Sequence, residues 1–421
     1  MKLCIMPVPD AFPKLRDEID AAPASRDGEM FYIIYDRAGI APSRLVVSPL
    51  ALLVASRLDG GSAILDIADR LSGEGGGGCS VSCSDVAGIV AALSEALFLE
   101  DAHFHDFREQ ADRDFRAMSV RPPGSAGSAY PDDPAALAAE LDRMMAEAPP
   151  PEEQPGKRAG FPLGVVAPHI DYARGAHGYG QAYGLLRSRP APRAVVVIGT
   201  AHLPMNERYA LCEKDFATPL GVVPVDHGLC ASLRSALRPH CDLDRDVLTH
   251  RGEHSVELQA VWLRHIYGDK TRIVPLVANS LGEFLEGGLD PALVAADPAI
   301  QALAKCLAGF SATGEVMLLA SADLSHIGPR FGDENEISNQ YLADVEAADR
   351  EYLAATAGNA VAGVASLAAH GDRYHVCGSA CIFAVRQALT RSRGRLLGYH
   401  QALTPEMQQA VTYASLVFER V

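Results

Sequence analysis

The sequence predicts an α/β fold, a central sheet with covering helices, preceded by a small winged-helix-like α+β module. Three observations carry this. Apolar runs without polar alternation, such as "GVVA" at 164–167 and "AVVVIGT" at 194–200, suit parallel strands covered on both faces. Helical stretches stand between most of these runs, which is the pattern of a sheet wound with helices. Residues 1–115 lack that alternation and read as one strand and three short helices.

The whole chain sets limits first. At 421 residues it exceeds one typical domain, so two units are expected: 1–115 and 116–421. A hydrophobic fraction of 48% with 21% charged residues is ordinary for a soluble globular protein, and no apolar run is long enough for a membrane span. The opening "MKLCIMPVPDAFPK" has Pro and Asp inside a short apolar stretch, which does not suit a secretory signal. A cytoplasmic location is expected. Nine cysteines scattered along a chain of this size do not make a disulfide framework, so individual thiols are free to act as ligands. A net charge of −16 argues against nucleic acid as the partner.

In the first unit, "MFYIIYD" at 30–36 reads as a strand and "SPLALLVASRLDGG" at 48–61 as a helix closed by glycines. "SAILDIADRLSG" places Ile64, Ile67, Ala68 and Leu71 at helical spacing behind Ser62 as a cap. "SDVAGIVAALSEALFLED" does the same with Val86, Ile89, Val90, Leu93 and Leu97 behind Ser84. The glycine-rich loop between these helices holds Cys79 and Cys83, which have no second Cys or His pair at finger-like spacing and read as loop thiols. Ten basic against nineteen acidic side chains in 1–115 disfavour a DNA-reading helix and favour docking of a protein or peptide.

The second unit opens with "RPPGSAGSAYPDDP" at 121–134 and the helix "PAALAAELDRMMAEA". "PPPEEQPGKRAG" at 149–160 reads as a linker. Strand-like runs follow at 164–167, 194–200, 221–225, 271–278, 316–322 and 413–419.

Several of these runs deliver polar groups where they leave the sheet, the edge at which open α/β sheets bind ligands. "GVVAPHID" ends on His169 and Asp171, "AVVVIGTAH" on His202, and "VMLLASADLSH" on Asp323 and His326. "HRGEHSVELQ" adds Glu253 and His254 before a helix capped by Ser255. "YHVCGSACIF" sets Cys377 at the start of an apolar helix, whose positive end would favour a thiolate, and leaves Cys381 in the core. Imidazoles, a thiol and carboxylates suit iron, copper or zinc, whereas magnesium and calcium want oxygen ligands.

The order "APHIDY", "GTAH", "EHSVE", "SADLSH" and "CG" resembles the Memo family, whose prokaryotic members include AmmeMemoRadiSam system protein B, over about residues 121–421. The module before "SAGSAYPDDP" is similar to the extension of a prokaryotic subgroup. The resemblance implies a fold shared with class III extradiol dioxygenases, which cleave catechols with non-haem iron(II). It also implies metal ligands at His169, His202 and Cys377. Asp323 and His326 would line the site, and Glu253 and His254 match the family's "EHS" element. A thiolate in place of the glutamate ligand of the ring-cleaving relatives argues against ordinary catechol cleavage. The chain departs from the common "APHAGY" at Ile170 and Asp171, and from "HAGSWY" at Ser125 and Ala129.

The expectation is therefore a metal-dependent oxidoreductase using iron(II) or copper, in which His326 or His254 moves protons and Asp323 orients an imidazole. Zinc has suitable ligands but no particular basis for preference. The alternative is a metal- or peptide-binding protein that uses the same cleft without turnover. The substrate does not follow from the sequence, and a protein partner is expected through the first unit.

Overall fold

The computed structural model describes residues 12–26, 29–36, 39–41, 43–74, 81–151, 160–284, 290–333, 336–405 and 408–421. The chain divides into two compact units, Met1–Ala117 and Met118–Val421. Cys79 lies outside the described residues, as does most of the expected linker. Among the described residues no helix is long and apolar enough to cross a membrane.

The first unit begins with three strands, β1 (Ile19–Arg26), β2 (Glu29–Asp36) and β3 (Leu45–Val47), which form an antiparallel sheet in that order. Four helices follow: α1 (Pro49–Ala55), α2 (Ile64–Glu74), α3 (Cys83–Glu95) and α4 (Ala102–Ala117). Helical spacing puts Val86, Val90 and Leu93 of α3 into one core with Ile34, Val54, Leu71 and Phe104. Two caps differ from expectation. Ser82 rather than Ser84 caps α3, exchanging hydrogen bonds with Asp85, because the serine three residues before an acidic side chain can close a capping box. Ser62 hydrogen-bonds Asp59 instead of capping α2. Helix α1 stops at Ala55, short of the glycines at 60 and 61.

The second unit opens with β4 (Val120–Arg121) and α5 (Pro134–Glu147). Then come β5 (Gly164–Ala167), α6 (Tyr172–Arg187), β6 (Ala194–Thr200), β7 (Tyr209–Leu211), β8 (Asp215–Thr218), β9 (Gly221–Val223) and α7 (His227–Leu237). Next are α8 (His254–Tyr267), β10 (Arg272–Ala278), α9 (Pro291–Ala296), α10 (Pro298–Ala312), β11 (Val316–Ser321) and β12 (Asp323–Ile327). The chain continues through α11 (Asn339–Gly358), α12 (Ala360–Ala369), α13 (Ser379–Ala388), β13 (Ser392–Thr404) and β14 (Gln409–Arg420).

The main sheet runs β12-β14-β5-β11-β6-β10-β7, with β13 paired along β14. Strands β5, β11, β6 and β10 are parallel and fully or almost fully buried, which explains their unbroken apolar sequences. Val222 and its neighbours in β9 belong instead to a small sheet of β4, β8 and β9. Helix α5 packs against α6 and α8. Its Asp142 pairs with Arg187 of α6 and His265 of α8, and its Met144 carbonyl packs so closely on Gly180 that no Cβ fits there. Between α6 and α8, Tyr183 stacks on Trp262 at 4.7 Å and 5°, joining the two helices over one face of the sheet.

Candidate metal centre

Strand register levels the residues of interest. Ala167 of β5 lies opposite Ser321 of β11, and Ala320 of β11 opposite Ile198 of β6, so three neighbouring parallel strands end together. Their continuations carry His169, Asp323 and His202. A buried amide fixes this edge: Gln259 Nε2 donates to the Pro168 carbonyl and to Ser321 Oγ, both at 2.7 Å. Helix α8 starts against β6, where Gly199 makes room; a Cβ there would meet Ser255 Oγ at 2.4 Å.

That close approach delivers His254. Ligand-type atoms of His169, His202 and His254 lie within 4.8 Å of one another. The ring centroids are 5.0 Å apart for His169 and His202, and 4.5 Å for the stacked His202 and His254. Cys377 Sγ stands 3.3 Å from His169 Nε2. The structure groups His169, His202 and His254, and Cys377 approaches this group at His169.

Each imidazole is held from behind. His169 Nδ1 is 2.9 Å from the Ser321 carbonyl, an acceptor, so Nδ1 carries the proton and Nε2 keeps its lone pair. His202 Nδ1 lies 3.0 Å from Glu253 Oε1, and the His202 backbone N–H donates to Oε2, which again leaves Nε2 free. Glu253 also accepts from the Ser255 N–H at 2.8 Å and lies 3.5 Å from His254 Nδ1. Glu253 is therefore the cap of α8, while Ser255 turns its hydroxyl to the Thr200 carbonyl; the expected serine cap is replaced by a carboxylate that serves helix and site together. His326 Nδ1 is 3.0 Å from the Leu324 carbonyl. His326 packs its ring edge-on to Phe331, beside rather than within the three-imidazole group.

The electrostatics separate these groups. Burial, helped by the nearby His202 charge, pushes His169 down to about 3. Burial likewise takes His254 and His326 down to about 4, so both are neutral at physiological pH. Burial opposes a charge on His202, but the Glu253 carboxylate outweighs it and raises this imidazole. Burial also acts against the Glu253 anion, and His202 overcomes it, holding that carboxyl well below the usual range. About a third of the His202 and His254 side chains faces solvent, so water moderates their shifts. Asp323 is raised by burial, even though His326 and the His169 N–H at 2.8 Å favour its anion.

Cys377 differs from the sequence expectation. It precedes α13 by two residues, yet burial and then the Asp323 charge push its thiol well above the ordinary value, outweighing the helix end. Asp171 differs as well. It caps α6 through the Arg174 N–H and pairs with Arg174 Nε at 2.5 Å, so its carboxylate is spent at the helix end. Two supporting residues went unread: Arg121 and Glu257, both fully buried. Glu257 stands inside "EHSVE", one helical turn after Glu253 on the inward face of α8, and a charged residue there was the available signal.

The parallel sheet and its edge define an α/β protein with a cluster of imidazoles, a thiol and carboxylates at the strand ends. The family model described as Memo-like protein matches residues 121–417. The chain belongs to the Memo family. It is 24% identical over 411 residues to a MEMO1 family protein of Aquifex aeolicus, covering 92% of this chain and 96% of the relative. A Methanopyrus kandleri MEMO1 family protein is 28% identical over 71% of this chain and 99% of its own length. One from Thermus thermophilus is 28% identical over 81% of this chain and 94% of its own length.

Proposed function

We propose that the site binds iron or copper and that the protein is a non-haem metal-dependent oxidoreductase related in fold to the class III extradiol dioxygenases. The observation that carries this reading is the convergence of three imidazoles within 4.8 Å and a thiol 3.3 Å from one of them, with Nδ1 of His169 and His202 already committed to acceptors. Such a donor set suits a borderline or soft ion and not magnesium or calcium. His169, His202 and Cys377 would hold the ion, with His254 as the neighbouring imidazole. Bound there, the metal would supply redox chemistry and open coordination positions.

The chain's own groups do the rest. Glu253 fixes the His202 ring and balances its charge. Asp323 holds the His169 backbone at 2.8 Å and stands 3.7 Å from its Nε2. His326, neutral and with Nδ1 tied to a carbonyl, has Nε2 available to take a proton from a substrate. Cys377 must lose its proton before it can serve as a ligand. The seven described cysteines are free, and a cytoplasmic location would keep them reduced.

The first unit is assigned a winged-helix-like docking role for a protein or peptide. Exposed Val46, Leu50 and Leu53, in a unit with excess acid, support that role over nucleic-acid binding. The deciding experiment is metal analysis of protein purified without added metal, then anaerobic loading with iron(II) or copper(I) and an oxygen-consumption assay. Stoichiometric binding with oxygen uptake supports the oxidoreductase. Binding without uptake leaves the non-catalytic alternative, and absence of binding overturns both.

A further inference from the structure

Glu253 is an unusual helix cap. Short side chains (Ser, Thr, Asp, Asn) are favoured because they reach the first helical N–H groups with little freedom to lose. A glutamate must fold back, and this one also holds His202 through two oxygens, so the placement of its backbone decides where the His202 ring stands.

One guanidinium grips that backbone. Arg121 donates from Nε to the His250 carbonyl at 2.7 Å and from Nη2 to the Glu253 carbonyl at 2.9 Å, with a longer contact to Arg251 at 3.3 Å. Its Nη1 is paired with Glu257 and reaches the Pro122 carbonyl at 3.0 Å. Glu257 in turn accepts the N–H groups of Gly124 and Ser125 at 2.9 Å and the Tyr130 hydroxyl at 2.5 Å. Every acceptor direction of this buried carboxylate is thereby used. A planar fork with five donors can serve carbonyls on the 250–253 turn and a carboxylate one helical turn later; an ammonium cannot span them.

We propose that Arg121 and Glu257 are positioning residues for the metal centre: a buried clamp that sets Glu253 and, through it, the His202 imidazole. The proposal rests on the metal-binding reading above, but it also makes a claim about His202 that needs no metal. The clamp explains why "RPPGSAGSAY", far from the site in sequence, is folded against α8. It also gives Ser125 a role that needs no long side chain, since Ser125 and its neighbour Gly124 contribute backbone N–H groups.

The test compares Arg121→Lys, Arg121→Met and Glu257→Gln with a core variant, Leu303→Ala, whose buried side chain in α10 belongs to no part of the clamp. Arg121→Lys keeps a cation opposite Glu257 and is the variant expected to remain folded if Arg121→Met does not. The first readout is the imidazole 15N spectrum of metal-free protein, with His202 assigned by its loss in His202→Gln. In wild type His202 shows a proton fixed on Nδ1, and in the clamp variants that signature is weakened or averaged, while Leu303→Ala retains it. The second readout is anaerobic iron(II) affinity. The clamp variants lose at least tenfold, whereas Leu303→Ala, at a comparable loss of melting temperature, loses less than threefold. An unchanged His202 signal in folded Arg121→Lys overturns the proposal, as does an affinity loss that merely tracks melting temperature. If wild type binds no metal, the metal reading fails while the 15N comparison still decides the clamp.

Discussion

Cys377 Sγ lies 3.3 Å from Nε2 of His169, although 208 positions separate the two residues in the chain. The thiol is brought there by the backbone of the preceding segment. The Cys377 N–H donates to the Leu324 carbonyl and the Gly378 N–H to the Asp323 carbonyl, so the segment runs alongside β12 as an extra edge. Burial and the Asp323 charge keep the thiol protonated at neutral pH. Metal binding should therefore release a proton. Apparent iron(II) affinity is expected to rise by about tenfold per pH unit through neutrality, read by anaerobic titration in two buffers of different ionisation enthalpy. A pH-independent affinity would remove Cys377 from the ligand set.

Cys377→Ser should weaken iron(II) or copper(I) binding by at least tenfold, or about 1.4 kcal/mol, with little loss of fold. Cys381→Ser is the control. Its sulfur is buried 3.3 Å from Thr200 Oγ1, so a serine hydroxyl keeps a partner there and affinity should stay near wild type. Equal affinity in the Cys377 variant and wild type would show that the thiol is structural. Both measurements need oxygen excluded, since an oxidised sulfur no longer reports on ligation.

Gly378→Ala tests the same segment sterically. A Cβ at position 378 would stand 2.4 Å from Ala322 Cβ and 2.5 Å from the Asp323 carbonyl oxygen, and neither can swing aside. A loss of about 1–3 kcal/mol by urea melting is expected, the usual range for overpacking. Metal affinity should fall as well, because relief of the clash moves Cys377 away from His169. Retention of both properties would mean that the turn is free to shift.

The acidic side chain behind β12 predicts a pH effect on stability. Burial raises Asp349 to about 6, although Thr412, Ser325 and Tyr399 hydroxyls all donate to it. A carboxyl raised in the fold contributes most below its unfolded value near 3.8, and that contribution is lost as pH climbs through about 6. Asp349→Asn removes the slope. Between pH 4 and pH 7 the stability difference, variant minus wild type, should move in favour of the variant by roughly 1–3 kcal/mol. Urea melts at both pH values give the answer, and parallel curves would refute it.

Residues 1–115 should not bind duplex DNA tightly, given ten basic against nineteen acidic side chains. Fluorescence anisotropy with the full chain at low and moderate salt checks this. Tight binding with a steep salt dependence, abolished by substituting arginines of the first unit, would reverse the docking assignment.

Much of the site was legible because buried parallel strands write themselves as apolar runs. β6 begins and ends at the expected residues, 194 and 200, and the histidines just past β5 and β6 lie within 4.8 Å of each other and of His254. Strand β12, "DLSHI", was hidden because its residues are chosen for the site and not for strand propensity. β13 has a half-covered face with two glycines and two arginines, and it is held by pairing with β14 and by side-chain bonds to α6 and α11, such as His400 to Gln181 and Tyr399 to Asp349. The hold of Glu253 on His202 and the Arg121–Glu257 pair join positions far apart in the chain, which local spacing cannot express, whereas the Ser82 cap was readable from Asp85 three residues on.

Strand β14 pairs with β13 along its length, with β12 through Val411 and Tyr413, and with β5 through Leu416 to Phe418. Strand β5, which ends two residues before His169, and strand β12, which begins at Asp323, thus share one neighbour drawn from residues 409–420. Without β14, β5 has one open flank and β12 keeps only its backbone bonds to residues 374–378. Contacts of such long sequence separation form late. The surroundings of His169 and Asp323 are therefore completed by pairing over a long sequence separation, which places their ordering late in folding.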